Sequence, residues 1–422
     1  MKKSLLILLA SLFLISNTHA ALGGNGSADI YSETDKSVFQ IRVVHKQTGK
    51  KSSIGSGFIV IAPNLLATNY HVISGFVNEP DKYALEYLSK DGKKGTVEIL
   101  DLDITHDLAV LKADTDLGPP LTITSIPEKG ARLFSLGNPM DLGFTIVEGI
   151  NNGIMNNSEE KNILVSGSLN PGMSGGPTLN EDCQVIGINV ATSGNEISFL
   201  VSAEHLVKIL DRLKARDFKA SDDIYELISE QLVKNSQEKM DRVLNHEWGV
   251  TKIGKFNVPS ELFETYRCWD ASPNFKKEVL YSLTSSSCTN EYNIFLSGSL
   301  EVGGLAYEYH WLETEEMSPS RFYHAAYEKL NDSVPPSNAG KEDVTNFACR
   351  TQFIDVSGTD FKATICRRDY LKYSGLSDVL TTVAMVGHEK QGFIFNLDLV
   401  GTDFNSAMDL LQKMLEKITW QR

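Results

Sequence analysis

Short apolar runs separated by turn residues fill the sequence between residues 37 and 200. They include SVFQIRVVHK, GSGFIVIAPNLLATN, KYALEYL, GTVEILDLD, LAVLKAD, ARLFSLGN, FTIVEGIN, NILVSGSL and QVIGINVA. Turn-forming pairs such as Asp91-Gly92 and Pro171-Gly172 lie between them. Many short strands with regular turn signals are typical of an all-β sandwich or barrel, and their spacing does not suit βαβ units.

The pattern changes at Ser202, which can cap a helix whose apolar residues recur on one face. A second helical stretch covers about 222–246, and strands and helices mix beyond it. The 422 residues, of which 41% are hydrophobic, are ample for two or three cores. We therefore predict a mostly β chain with a β domain over 30–217, a helical linker over 218–250 and an α+β domain over 251–422.

The C-terminal region contains two similar segments, 303–330 and 391–418, and each follows a pair of cysteines. Both are interpreted as a strand, a turn and an amphipathic helix. This suggests an internal duplication with copies at 251–335 and 340–422, and chance similarity is the alternative. The aromatic residues Tyr307, Tyr309 and Trp311 alternate along the first segment, and we expect them to face a core.

The N-terminus has the features of a secretory signal peptide over residues 1–20. Lys2 and Lys3 precede an apolar run from Leu5 to Ile15, and Ala20 offers a small residue at the cleavage point. We expect export to the periplasm or the medium, without a stable membrane span after cleavage; an uncleaved anchor is the alternative.

Net charge and cysteine content limit the ligands and the disulfide bonds that we expect for this chain. The net charge is −14 and no long basic run occurs, so nucleic-acid binding is not expected. Four cysteines lie beyond residue 260, and an oxidising compartment makes the bridges Cys268–Cys288 and Cys349–Cys366 plausible among three pairings. Cys183 is left over and is interpreted as a partly buried side chain. No metal ligand spacing is present, and we predict neither a metal nor a cofactor.

The stretch LNPGMSGGPTL surrounds Ser174 with glycine and proline. A serine hydroxyl attacks a carbonyl only when a base removes its proton, and that base works best when a carboxylate orients it. His71 in LLATNYHVI and Asp107 in DITHDLAVLKAD supply both groups, in the order His, Asp, Ser. Main-chain N–H groups of Gly172 and Ser174 can stabilise the oxyanion that forms.

Three blocks, TNYHV, DLAVLK and NPGMSGGP, resemble the motifs of chymotrypsin-fold serine proteases, especially the bacterial HtrA/Deg-type group. GSGFIV, SLGNPMDLGFTIVEGI and VIGINVA resemble framework segments of that group, so the resemblance covers about residues 35–215. It implies two six-stranded β-barrels with the active site between them. His71 would be the general base, Asp107 its orienting group and Ser174 the nucleophile.

The sequence departs from this family at several points. Met173 stands where HtrA-type proteins usually have Asn, and its side chain should point away from the oxyanion. Neither an activating Ile-Val-Gly-Gly terminus nor a Gly-Leu-Gly-Phe-like loop of a PDZ domain is recognisable. By resemblance, the specificity pocket lies near Ser168, Leu169, Val190, Ala191 and Thr192. The two segments that contain these residues have no Asp or Glu, which favours a small or medium apolar substrate residue in the pocket.

The leading hypothesis is an exported serine endopeptidase acting on proteins or peptides. The alternatives are a periplasmic binding or scaffold protein that keeps the protease fold, and an esterase of another fold. The esterase is disfavoured because a strand-like run, not a helix, follows Ser174. His106 is an alternative base, which we interpret as a surface residue. The C-terminal domain could recognise substrate or a partner protein, cover the cleft or mediate assembly.

Overall fold

The structure is a computed structural model that describes residues 26–192, 194, 196–273, 280–331 and 337–420. The predicted signal peptide therefore lies outside the described residues. None of the described helices is both long and apolar enough to cross a membrane.

Two closed barrels of six antiparallel strands form the N-terminal half. The first contains β1 (Val38–His45), β2 (Lys51–Ile59), β3 (Leu65–Thr68), β4 (Tyr83–Leu88), β5 (Lys94–Asp103) and β6 (Leu108–Ala113), in the order β1-β2-β3-β6-β5-β4. The second contains β7 (Arg132–Gly137), β8 (Thr145–Ile154), β9 (Ile163–Ser166), β10 (Pro177–Leu179), β11 (Val185–Thr192) and β12 (Ile197–Ser202), in the order β10-β11-β12-β9-β8-β7. The prediction of a double six-stranded barrel is confirmed.

The C-terminal half mixes strands and helices, as the α+β prediction requires. Its strands are β13 (Val250–Ile253), β14 (Phe256–Pro259), β15 (Arg267–Asp270), β16 (Ser282–Thr289), β17 (Ile294–Ser297), β18 (Leu300–Val302), β19 (Leu305–Glu313), β20 (Ala348–Val356), β21 (Thr359–Asp369), β22 (Ser377–Met385), β23 (Gln391–Thr402) and β24 (Thr419–Trp420). Seven of them form one antiparallel sheet in the order β15-β16-β19-β23-β22-β21-β20. Strands β13, β14 and β24 form a second sheet, and β17 and β18 pair as a separate hairpin.

Six α-helices accompany these strands in the described part of the chain. They are α1 (Ser27–Thr34), α2 (Tyr70–Asn78), α3 (Ala203–Ala215), α4 (Ile224–Asn245), α5 (Pro319–Asn331) and α6 (Phe404–Lys417). Ser202 caps α3 as expected, because its hydroxyl accepts a hydrogen bond from the Glu204 N–H. Helix α2 lies between the first-barrel strands β3 and β4, where the sequence patterns predicted no helix.

Helix α4 lies within the predicted linker and packs against both halves of the molecule. Ile228 and Leu232 belong to the apolar cluster of the first barrel. Met240 and Val243, about three turns later, belong to the cluster under the seven-stranded sheet. Helix α4 therefore packs against the hydrophobic cores of both halves and is not a solvent-exposed linker.

The seven-stranded sheet has an approximate internal symmetry. Strands β19 and β23 lie side by side at its centre, and each leads into a helix, α5 or α6. Disulfides join the outermost pairs of strands, Cys268–Cys288 between β15 and β16 and Cys349–Cys366 between β20 and β21. The internal duplication remains a proposal that this arrangement supports. Tyr307, Tyr309 and Trp311 are buried in β19, as predicted for core residues.

Candidate active site

His71 and Asp107 lie at the ends of two first-barrel strands. His71 is the second residue of α2, which begins directly after β3, and Asp107 directly precedes β6. Strands β3 and β6 are paired neighbours. Asn69 strengthens this junction, because its side-chain amide donates a hydrogen bond to the Asp107 carbonyl oxygen at 2.8 Å. The barrel therefore brings together two residues that are 36 positions apart in the sequence.

The Asp107 carboxylate holds His71 through two hydrogen bonds. Its Oδ2 atom lies 2.6 Å from Nδ1 of the imidazole, and Oδ1 accepts the His71 main-chain N–H at 2.8 Å. Burial of the imidazole disfavours its charged form, but the charge and hydrogen bond of Asp107 outweigh this effect and raise the pKa of His71. This arrangement places the proton on Nδ1 and leaves Nε2 free to accept another.

Ser174 lies in the turn that precedes β10, close to the His71 helix. Its carbonyl oxygen accepts the Ser56 N–H at 2.7 Å, and Gly55 fits between that carbonyl and the side chain of Val72 in α2. The Ser174 hydroxyl donates to the Val190 carbonyl at 3.3 Å. Within the described residues, no hydrogen bond joins this hydroxyl to His71. The proton transfer from Ser174 to His71 that the sequence predicts would therefore require the serine hydroxyl to leave the Val190 carbonyl.

The turn around Ser174 keeps two main-chain donors available. Among the described residues, the N–H groups of Gly172 and Ser174 have no acceptor. The Pro171 carbonyl accepts the Met140 N–H at 2.7 Å, and the Gly172 carbonyl accepts the Ser56 hydroxyl at 2.7 Å. These bonds fix the peptide units on both sides of Gly172. Because a trans peptide directs its N–H opposite to its carbonyl, they also fix the direction of the Gly172 donor.

Two glycines in this turn are required by geometry. Gly172 has φ of 99°, and a Cβ there would overlap the Asn138 carbonyl oxygen. Gly175 has φ of 84°, and a Cβ there would overlap the Ser56 carbonyl oxygen and the Thr68 hydroxyl. Both φ values are ones that side-chain-bearing residues rarely adopt. Gly175 therefore allows the turn to approach the first barrel closely, and Gly172 allows it to approach the segment that follows β7.

Met173 is completely buried beneath the turn. It packs with apolar residues of the second barrel, which are Leu133, Ile163, Val165, Leu169, Ile186 and Leu200. Its side chain therefore points into the core, away from the oxyanion donors, as expected. Asn189 secures the same turn, because its buried side-chain amide donates to the Met173 carbonyl at 3.2 Å and the Leu136 carbonyl at 3.0 Å.

The residues predicted to form the specificity pocket are only partly described. Ser168 is exposed, whereas the Leu169 side chain is buried with Met173, which leaves its main chain to contact a substrate. Val190 is half-buried in β11. Ala191 and Thr192 end the same strand, and their side chains lie outside the described residues. The pocket stays a prediction.

His106 is not the surface residue that the sequence suggested. It is half-buried, it lies 2.8 Å from the Asp103 carboxylate, and its ring stacks on His205 at 3.6 Å between centroids. These three side chains bring potential metal ligand atoms within 4.8 Å of one another. The stacked rings are only 21° from parallel, so their in-plane lone pairs do not converge on one point. The cluster is a hydrogen-bonded histidine pair, and its geometry does not support a metal centre.

Sequence reasoning missed the residues that support the catalytic groups. Asn69, Ser56 and Asn189 each fix a segment of the site through buried hydrogen bonds. Two signals were available, namely the serine enclosed by glycines in GSG and the single asparagine inside the apolar run VIGINVA. Polar residues in such positions are usually buried with a hydrogen-bond partner.

Comparison with known proteins shows which part of the chain is similar to characterised families. Residues 55–188 match the family model of the trypsin-like peptidase domain. A probable periplasmic serine endoprotease DegP-like protein of Halomonas elongata is 31% identical over an alignment of 177 residues, and the alignment covers 39% of this chain and 36% of that protein. A protein of the same description from Chlamydia muridarum is 33% identical over an alignment of 171 residues, which covers 38% of this chain and 33% of that protein.

A solved serine endoprotease from Yersinia pestis aligns with a TM-score of 0.40 at 24% identity, covering 46% of this chain and 68% of that one. The chain spans about a third of the length of the two curated relatives described above. The similarity to these relatives is confined to about two fifths of this chain. Residues 55–188 therefore match a trypsin-like peptidase domain, and the double barrel that contains them is the part of this chain that is similar to the DegP-like serine endoproteases.

Proposed function

We propose that this protein is an exported serine endopeptidase that hydrolyses protein substrates through His71, Asp107 and Ser174. The observation that carries the proposal is the pairing of an oriented imidazole with a serine turn whose two main-chain N–H groups have no acceptor. These are the parts that acyl transfer needs, namely a base, a nucleophile and donors for the developing charge.

The reaction begins when a peptide carbonyl enters the cleft between the barrels. The Ser174 hydroxyl leaves the Val190 carbonyl, gives its proton to His71 Nε2 and forms a bond to the carbonyl carbon. The negative charge that develops on the oxygen is stabilised by the Gly172 and Ser174 N–H groups, at about 3 kcal/mol for each donor. Asp107 stays ionised and stabilises the imidazolium through Oδ2.

The acyl-enzyme then forms and breaks down. His71 returns its proton to the departing amine, the C–N bond breaks, and the substrate acyl group stays on Ser174 as an ester. His71 next takes a proton from a water molecule that attacks this ester, and the acid product leaves as Ser174 recovers its proton. No step requires a metal or an organic cofactor.

Export to the periplasm is proposed because residues 1–20 have the pattern of a signal peptide and because the relatives are described as periplasmic. Protein substrates are proposed because those relatives are described as endoproteases. Both features belong to the proposal.

Labelling by a fluorophosphonate probe, with unfolded casein as a substrate, tests this function. The purified mature protein should take up one equivalent of probe and hydrolyse casein, and Ser174→Ala should abolish both activities. Ser320→Ala is a control, because Ser320 is exposed on helix α5 of the C-terminal half, outside the double barrel. Absence of both labelling and hydrolysis in the wild-type protein would exclude the proposal and favour a binding protein on a protease fold.

A further inference from the structure

The β17–β18 hairpin leaves the C-terminal sheet and lies against the protease domain. It is inserted between β16 and β19, which pair directly with each other without it. Strand β17 packs against α2, the helix that carries His71, and against the 3-10 turn Ile104–His106 that precedes Asp107. The hairpin therefore touches both segments that position the catalytic pair.

The hairpin is fixed in this place by buried contacts. The hydroxyl of Tyr70, a completely buried residue next to His71, donates to the Leu296 carbonyl at 2.9 Å. Ile294, Leu296 and Leu300 are buried in the same apolar cluster as the first barrel. Burial of three such side chains stabilises the docked hairpin by several kcal/mol, so the hairpin is a firmly packed part of this region.

Phe295 lies on the opposite face of β17 from these anchors. Side chains alternate along a strand, and Phe295 is half-buried between the buried residues Ile294 and Leu296. Its ring meets the His71 imidazole edge to face, with 6.4 Å between centroids and 88° between planes. Phe295 is therefore an apolar surface beside the catalytic base, supplied from outside the double barrel.

A substrate must pass His71, because its scissile carbonyl has to reach Ser174 while Nε2 receives the serine proton. A substrate side chain next to the scissile bond, on the His71 side, will then meet Phe295. An aliphatic or aromatic side chain gains apolar contact there, whereas glycine gains none and a charged side chain loses water.

We propose that Phe295 is a specificity-determining residue, through which the C-terminal hairpin selects an apolar substrate side chain beside the scissile bond. This inference rests on the proposed endopeptidase function and adds a defined role for the C-terminal region. The selected substrates are segments with an aliphatic or aromatic residue at one position, which folded proteins bury and unfolded proteins expose.

Internally quenched peptides test the inference. Each of the three residues on either side of the scissile bond is varied among Gly, Ser, Asp, Lys, Leu and Phe, and kcat/KM is measured. The wild-type protein should prefer Leu or Phe over Gly at one position by about tenfold or more. Phe295→Ala should reduce that preference to about threefold or less with the other positions unchanged, and Phe295→Leu should retain most of it.

Two controls separate specificity from folding and from chemistry. Phe353→Ala removes an aromatic ring that is 73% exposed on β20 of the same sheet, and it should leave the profile unchanged. Fluorophosphonate labelling of Ser174 should be retained in Phe295→Ala and Phe295→Leu, which would show that the catalytic groups remain assembled in both variants.

Each other result has a separate meaning. Normal labelling with an unchanged preference in Phe295→Ala would overturn the inference and leave the endopeptidase proposal intact. Faster cleavage of all peptides by Phe295→Ala, including those with Gly, would show that Phe295 obstructs the cleft and would also overturn it. Absence of labelling and cleavage in the wild-type protein would remove the proposed function and this inference with it.

Discussion

Replacing Asp107 with asparagine should disable the base without disturbing the fold. Oδ1 of Asp107 accepts the His71 main-chain N–H at 2.8 Å, and that group can only donate. In Asp107→Asn, the one remaining oxygen will keep this bond, so the amide NH₂ will face Nδ1 in place of Oδ2. Nδ1 must then be an acceptor, which moves the imidazole proton to Nε2, where it blocks transfer from Ser174.

The expected loss in kcat is about 10⁴-fold, the effect of the equivalent change in other serine proteases, or about 5.5 kcal/mol of transition-state stabilisation. The acid limb of the kcat/KM profile should also change. Asp107 raises the pKa of His71, so wild-type activity should rise with pH through a pKa above the ordinary histidine value of about 6.5, and this limb should move to lower pH in the residual activity of the variant.

Asp103→Asn is the matched control. Asp103 also pairs its carboxylate with a histidine Nδ1 at 2.8 Å, but that histidine is His106, which stacks on His205. The activity of Asp103→Asn on a fluorogenic peptide should stay within about threefold of wild type, which corresponds to a change in activation free energy of under about 1 kcal/mol. Retention by a folded Asp107→Asn of more than about a tenth of wild-type kcat/KM would refute the orienting role of Asp107.

Three further predictions concern stability, each measured by urea or thermal unfolding. Met173→Ala should destabilise the protein by about 2–5 kcal/mol, since the side chain is fully buried, whereas Met173→Leu should cost less than about 1.5; equal effects would contradict the packing. Burial and the charge of His106 lower the pKa of His205 to about 4, so the unfolded chain binds one more proton than the folded chain between about pH 6.5 and 4. The free energy of unfolding should therefore decrease as the pH is lowered through this range. His205→Gln should lessen that decrease by about 1–3 kcal/mol, and an unchanged pH dependence would exclude this origin. Burial and the charge of Glu308 raise the pKa of Asp398 to about 7, so the folded chain keeps a proton on this carboxyl group that the unfolded chain releases at lower pH. The stability that this proton contributes is lost as the pH rises through 7. Asp398→Asn should therefore stabilise the protein by about 1–3 kcal/mol at about pH 9, and no gain there would contradict that assignment.

The sequence was sufficient for the parts of the molecule that depend on local pattern. The short runs with turn residues predicted the barrel strands, and Ser202 and the apolar spacing after it predicted α3. His71, Asp107 and Ser174 are predicted from residue type and order; the structure brings the first two into direct contact, and the catalytic roles of all three stay a proposal. Met173 was the one residue of the Ser174 turn without a catalytic explanation, and its burial now provides a structural one.

Features that depend on tertiary packing could not be predicted in this way. Helix α2 is short and apolar, and its stability comes from burial between the first barrel and the hairpin. His106 is predicted as a surface residue because no framework motif surrounds it, and its stacking on His205, 99 positions away, depends on tertiary packing. Phe295 carries no motif at all, since its significance comes only from the docking of one domain on another.

The most direct test of the Ser174 turn as a nucleophile and oxyanion site is a crystal structure of the protein after reaction with a fluorophosphonate. The phosphorus should be bonded to Ser174 Oγ, with one phosphoryl oxygen about 2.7–3.1 Å from both the Gly172 and Ser174 nitrogens and with the leaving position facing His71 Nε2. Modification of another residue, or a phosphoryl oxygen directed away from both N–H groups, would contradict the central claim.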